Sequence, residues 1–182
     1  MSENDRDLEP GTLLVASPLL LDPNFFRTVV FVLQHDVDGA VGVVLNRPSE
    51  EPVDVHLPEW VRRLEEPPVI FVGGPVDQAV AIGLVRSDRP AEPTALAGVG
   101  MVDLGSDPAA GNPGPVRVFS GYSGWGPGQA EAEMAEGAWL IVDAVVEDIF
   151  TQTPDDLWSS VLRRQGGKLA MLATFPLDPS MN

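Results

Sequence analysis

Between residues 22 and 47 the chain gathers Asp22, Asn24, Arg27, His35, Asp36, Asn46 and Arg47, its densest cluster of polar side chains. The guanidinium groups of Arg27 and Arg47 are of the kind that clamp a carboxylate, whether from the protein or from a ligand. His35 beside Asp36 suggests an oriented imidazole. Adjacent strand residues point to opposite faces, however, so the two do not pair within a strand and Asp36 reads as a turn residue. Asp22 and Asn24 flank Pro23, an ordinary turn composition. Each of these residues therefore carries a structural reading beside a binding one.

A second stretch, GYSGWGPGQ (121–129), poses a different chemistry. A strand, a glycine-rich turn and a helix start are the parts of a phosphate cradle. A Walker-type loop places Lys-Ser or Lys-Thr at the helix start; here Glu131 and Glu133 stand in the first turns and would repel an anion. Glycines at 121, 124, 126 and 128 do not match a dinucleotide fingerprint. Ser123 is not in a nucleophile elbow, because Gly124 comes one position too early for GxSxG. The preferred reading is steric: the stretch is a corner whose glycines let chain pass close to chain, with Trp125 as a core anchor. Gly121, Ser123, Gly124 and Gln129, together with Gly73 and Gly74, complete the set of candidate ligand- or partner-binding residues.

No side chain is singled out as catalytic. The two histidines, His35 and His56, have no HExxH context and no carboxylate at ligand spacing, so no metal site is expected. No cofactor motif is found. The absence of cysteine excludes disulfides, thiolate catalysis and cysteine-based zinc sites.

Charge narrows the partners. The 182 residues include 27 acidic and 11 basic ones, a formal net charge of -16. Nucleic-acid affinity rests on Lys and Arg neutralising phosphates, so this balance argues against direct DNA binding and against an anionic membrane surface. Arg62-Arg63 and Arg163-Arg164 are the basic pairs, and Lys168 is the one lysine. The first ten residues, MSENDRDLEP, are acidic and unlike a secretory signal. No apolar run is long enough to span a bilayer, and a cytoplasmic protein is expected.

The elements that must position these groups follow from periodicity. Residues 1–10 predict a flexible acidic tail and 11–182 a single domain, with a hydrophobic fraction of 44%. TLLVA (12–16), TVVFVLQH (28–35) and AVGVVLN (40–46) predict strands, the last two joined through DVDG as a hairpin. Gly42 predicts close packing or a bulge. VIFVGG, AVAIGLVR, VGMVDL, VRVFS and AWLIVDA predict further strands. Pro58 predicts a short helix carrying Trp60, Val61 and Leu64 on one side. Pro127 is placed to open a helix over 129–136, with Gly137 as its stop. Thr153 predicts a cap, with Asp156 completing a near capping box, for a helix that buries Leu157, Trp158, Val161 and Leu162 and ends at Gly166-Gly167. Short strands and few helices, without regular βαβ alternation, predict an α+β fold.

Taken together these motifs resemble the YqgE/AlgH family. The resemblance rests on GTLLVASPLLLDPNFFRTVVFVLQHDVDGAVGVVLNRP, FVGGPV, GYSGWGPGQAEAEMAEGAWL and DLWSSVLRRQGG, in that order, and spans Gly11 to Gly167. The closing FPLDPSMN looks like the tail of one branch of the family. The resemblance implies an uncharacterised bacterial cytosolic protein with a bifurcated, mostly antiparallel sheet bent into a pseudo-barrel, plus a few short helices. One branch carries the label of transcriptional regulator. The family supplies no agreed catalytic residues. Three functions stay open: an accessory or regulatory protein acting through protein partners, a small-molecule-binding protein or enzyme using the loops at 22–24, 46–47 and 73–74, and a DNA-binding regulator.

Overall fold

The β-branched run that begins at Val29 has both faces to bury, and the fold is arranged around it. A computed structural model describes residues 6–110 and 114–177. Ten strands are present among them: β1 (Thr12–Ala16), β2 (Val29–Asp36), β3 (Gly39–Val44), β4 (Pro48–Pro52), β5 (Val69–Val72), β6 (Val76–Arg86), β7 (Glu92–Pro93), β8 (Val99–Val102), β9 (Val116–Trp125) and β10 (Trp139–Asp143). The helices are α1 (Gln129–Ala135), α2 (Val146–Ile149), α3 (Leu157–Gln165) and α4 (Gly167–Leu172), with tight 3-10 turns at Val53–Val55, Pro58–Arg63 and Pro154–Asp156. The main path of the sheet runs β10-β1-β2-β3-β9-β6-β8-β7, each neighbour antiparallel to the next. The whole is a single compact α+β domain, its mostly antiparallel sheet curled into a half-barrel.

Alternation along the strands sorts side chains onto two buried faces. Leu13, Val15, Val29, Phe31 and Val43 point to one core, closed by Ile149 of α2 and by Leu157, Trp158, Val161 and Leu162 of α3. Leu14, Ala16, Val30, Val32 and Val44 point to the other, closed by Trp125, Met134 of α1 and Trp139. A strand covered on both faces reads as a continuous apolar run, which is why β1 and the first half of β2 carry no polar alternation.

The sheet forks at β9. Its residues 116–120 pair with β6, and Phe119 and Ser120 also pair with β5, which runs parallel to β9 and antiparallel to β4. Beyond Gly121, residues 123–125 pair with β3 instead. Gly121 sits at the switch with φ +70°. Residues 121–125 are therefore strand and not the predicted corner; the chain changes partner there instead of reversing. The close approach is real: a Cβ on Gly73 would lie 2.3 Å from the Gly121 carbonyl oxygen, and one on Gly74 2.2 Å from the Tyr122 carbonyl. At Gly42 both expectations hold, with a Cβ clash on Phe31 and a register shift of β2 against β3 between Val32 and Gln34.

Other boundaries differ for local reasons. Helix α1 begins at Gln129 behind a left-handed Gly128, so Pro127 lies in the approach turn. The Thr153 side chain makes no cap bond, and a 3-10 turn over Pro154–Asp156 feeds α3 directly. Gly166, at φ +72°, ends α3, but α4 starts at once from Gly167. In the predicted tail, Leu8 is buried in the second core and Arg6 pairs with Asp143 at 2.5 Å; residues 1–5 and 178–182 lie outside the described residues.

Candidate functional site

The turn before β2 is built by Asp22. Its Oδ1 accepts the Asn24 N–H at 2.8 Å, and its carbonyl accepts the N–H groups of Phe25 and Phe26 at 3.0 and 2.7 Å. Arg27 leaves the turn at φ +52°. Asn46 then locks it from the end of β3: Nδ2 donates to the Arg27 carbonyl at 2.8 Å while Oδ1 accepts the Val29 N–H at 3.0 Å. The next residue, Arg47, donates through Nη2 to the Phe26 carbonyl. Its own carbonyl accepts the Val72 N–H at 2.8 Å, which draws β5 and the following Gly73-Gly74 alongside. The Gly73 carbonyl accepts both the Val44 N–H and, at 3.1 Å, the buried Ser123 hydroxyl.

Three separate stretches thus meet beside the fork. They leave a cleft of about 270 Å³ lined by Asn24, Arg47, Val72, Gly74, Pro75 and Gln78, among others. Of the sequence candidates, Asn24, Arg47 and Gly74 face it. Asp22, Asn46, Gly73, Gly121 and Ser123 stand behind, as the hydrogen bonds and close contacts that hold its walls. Arg27 turns elsewhere: Nη2 donates to the Phe175 and Pro176 carbonyls at 2.6 Å each, and the guanidinium lies 4.3 Å over the Trp158 ring. Burial lowers the pKa of Arg27 and of Arg47.

Gln129 opens α1 and His35 bonds to that helix, away from these walls. His35 Nε2 meets Glu131 Oε1 at 2.5 Å. Gln129 Oε1 accepts the Gly126 N–H at 3.0 Å, and its Nε2 donates to Glu133 Oε1 at 2.9 Å. The other oxygen of Glu133 accepts both indole N–H groups, from Trp125 at 3.0 Å and Trp139 at 2.8 Å, and Phe25 packs against both rings, which also meet edge-on. Gly124 is exposed and pairs with Val41. The glycine-rich stretch therefore ends in an aromatic anchor tied to a carboxylate, not in a cradle of amides.

Sequence reasoning missed three contributors. Gln78 lies in the irregular, exposed first half of β6, where nothing in AVAIGLVR or its approach marks a cleft. From the sequence Glu133 reads only as an acid in the first turns that would repel an anion. Arg117 is buried within β9: it donates to the carbonyls of Ile149, Thr151 and Glu66 and stacks 4.4 Å over Phe71. Its pKa is lowered to about 10 by burial, with Arg86 adding to this and Glu65 opposing, so it remains a cation at neutral pH. The one available signal was a charge amid the apolar VRVF of a strand.

A second, wider groove of about 420 Å³ adjoins the cleft through Val72 and Gln78 and runs over Ile70, Val80 and Val118. Among the described residues no group of three or more His, Asp or Glu side chains could hold a metal ion, and no helix is long and apolar enough to cross a membrane.

The fold and cleft define a forked, half-barrel α+β domain. The chain belongs to the AlgH-like family, whose model it matches over residues 13–170. It is 47% identical to a UPF0301 protein of Thermobifida fusca, over 98% of each chain, and 48% identical to one of Streptomyces coelicolor, over 94% of each. Among solved structures it is similar to protein DIP2367 of Corynebacterium diphtheriae, with a TM-score of 0.87 and 31% identity over 93% of this chain and 94% of that one. It is also similar to the AlgH protein of Pseudomonas aeruginosa, with a TM-score of 0.68 and 28% identity over 95% and 99%.

Proposed function

We propose that this protein is a cytosolic accessory protein that works by binding a small molecule in the cleft at the sheet fork. The observation that carries the reading is convergence: three stretches distant in sequence bring Asn24, Arg47, Gly74 and Gln78 to one concave surface. A concave site with a few converging polar groups is the usual form of a ligand site. Its polar side chains are a guanidinium and two amides, which bind and orient but do not exchange protons near neutral pH. Binding without chemistry is what such a lining supports.

A second reading is a regulatory protein docked by a protein partner. The adjoining groove favours it, because Ile70, Val72, Val80 and Val118 give it an apolar floor beside the exposed first half of β6. DNA binding gains no support from a net charge of -16.

Native mass spectrometry of the protein purified from its own host separates the readings. A metabolite-sized mass is expected on the wild type and is expected to be lost from Asn24→Trp, which fills the cleft from an exposed position. A bare wild-type chain, or a ligand retained by Asn24→Trp, would overturn the cleft reading. A stoichiometric protein adduct without a small molecule would favour the second.

A further inference from the structure

Five arginines of this chain fall into two patterns. Arg6, Arg86 and Arg164 pair with Asp143, Glu147 and Asp148. Arg27 and Arg117 donate through their Nη groups to main-chain carbonyls and stack on aromatic rings, while the Nε of each is buried without a partner. Arg47 follows neither pattern. It is half-buried, gives a single bond to the Phe26 carbonyl, and among the described residues has no carboxylate within ion-pair distance. This occurs in a chain with 27 acidic residues, where a counter-charge would be easy to supply. A partly desolvated cation without a counter-ion is costly. The cost is offset when an anion enters beside it.

The surroundings of Arg47 suit such an anion. The side-chain amides of Asn24 and Gln78 line the same cleft, and neither has a side-chain hydrogen bond within the described residues. Each can donate N–H to an oxygen of a bound group. Gly74 holds φ +156° with its Cβ position blocked by the Tyr122 main chain, so bare backbone forms that wall. Val72 and Pro75 supply apolar sides. The one bond from Nη2 to Phe26 anchors one end of the guanidinium and leaves other donors of its fork for a planar or tetrahedral oxyanion.

Resting on the small-molecule reading above, we propose that the cleft is a receptor for the anionic group of a small acid, a carboxylate or phosphate held by Arg47 with help from Asn24 and Gln78. At about 270 Å³ the site is just below the usual range of drug-sized pockets, roughly 300–1,000 Å³. It takes the acid group and a short body, not a whole dinucleotide.

The full ¹⁵N-labelled chain is titrated with sodium phosphate and, separately, with sodium acetate, against sodium chloride at matched ionic strength. Saturable NMR shifts are expected at the Arg47 Nε–H, the Gly74 amide and the side-chain amides of Asn24 and Gln78. The anion that saturates at lower concentration tells a phosphate source from a carboxylate one. Arg47→Gln is expected to raise Kd about tenfold or more, the loss of a charge-assisted contact. Gln78→Ala, at an exposed position, is expected to raise it by a smaller factor with the fold intact. Shifts reproduced by chloride, no saturable shift on the wild type, or equal affinity in a folded Arg47→Gln would overturn the proposal. A host-derived ligand that is lost from Asn24→Trp yet kept by Arg47→Gln would sink the anion receptor and leave the small-molecule reading standing.

Discussion

Glu133 shows how one side chain can organise a motif. Its two oxygens accept three N–H donors, the indoles of Trp125 and Trp139 and the amide of Gln129. Glu133→Ala leaves both indoles without that acceptor and is expected to cost about 2–3 kcal/mol in urea unfolding, with Glu133→Gln milder. Its neighbour Glu131 gives a pH effect. Its own main-chain amide holds its carboxyl below the usual range and His35 acts the same way, against a smaller opposing effect of burial than that of the amide. A depressed carboxylate stabilises the fold fully above its unfolded value, about 4.3, and loses that contribution as pH falls through the lower folded value. Glu131→Gln should therefore be less stable than wild type at pH 7, with the gap closing below about pH 4. A gap that persists unchanged at pH 2 would mean that the carboxylate charge is not the cause.

The fork in β9 makes some glycines obligatory and others merely convenient. A Cβ at Gly74 meets Tyr122 main chain at 2.2 Å, so neither side can yield without moving a strand. Gly74→Ala is expected to cost about 3 kcal/mol or more. Gly128 has φ +71° but open space where a Cβ would go. Gly128→Ala should cost only the left-handed penalty, about 1–2 kcal/mol. Equal costs in urea unfolding would contradict the steric account of the fork. The same crossing holds the cleft, because the Gly73 carbonyl ties β3 and β9 to the loop that carries Gly74 and Pro75.

Across the molecule the net charge of -16 acts against compactness. Raising chloride salt from about 0.01 M to about 1 M shortens the screening length from roughly 30 Å to roughly 3 Å. The melting temperature is expected to rise by a few degrees, about 2–4 °C for each kcal/mol relieved. A fall would show that ion pairs such as Arg164–Asp148, rather than repulsion, dominate the salt response. Phosphate is unsuitable as the salt, since it is also the probe for Arg47.

The sequence by itself determined the fold class, most strand positions, the β2–β3 hairpin and the family, because these rest on local signals: β-branched runs, turn residues and glycine placement. It also drew attention to Asn24, Arg47 and Gly74, in loops that one of its three open functions used together. Only the tertiary structure decided that these three share a cleft while Arg27, His35 and Gln129 are engaged elsewhere. For Arg27 and His35 the reason is that their partners, the Phe175 carbonyl and Glu131, lie 148 and 96 residues away along the chain. Strand pairing and helix packing bring such groups together, and no window of local sequence encodes which partners that packing will choose.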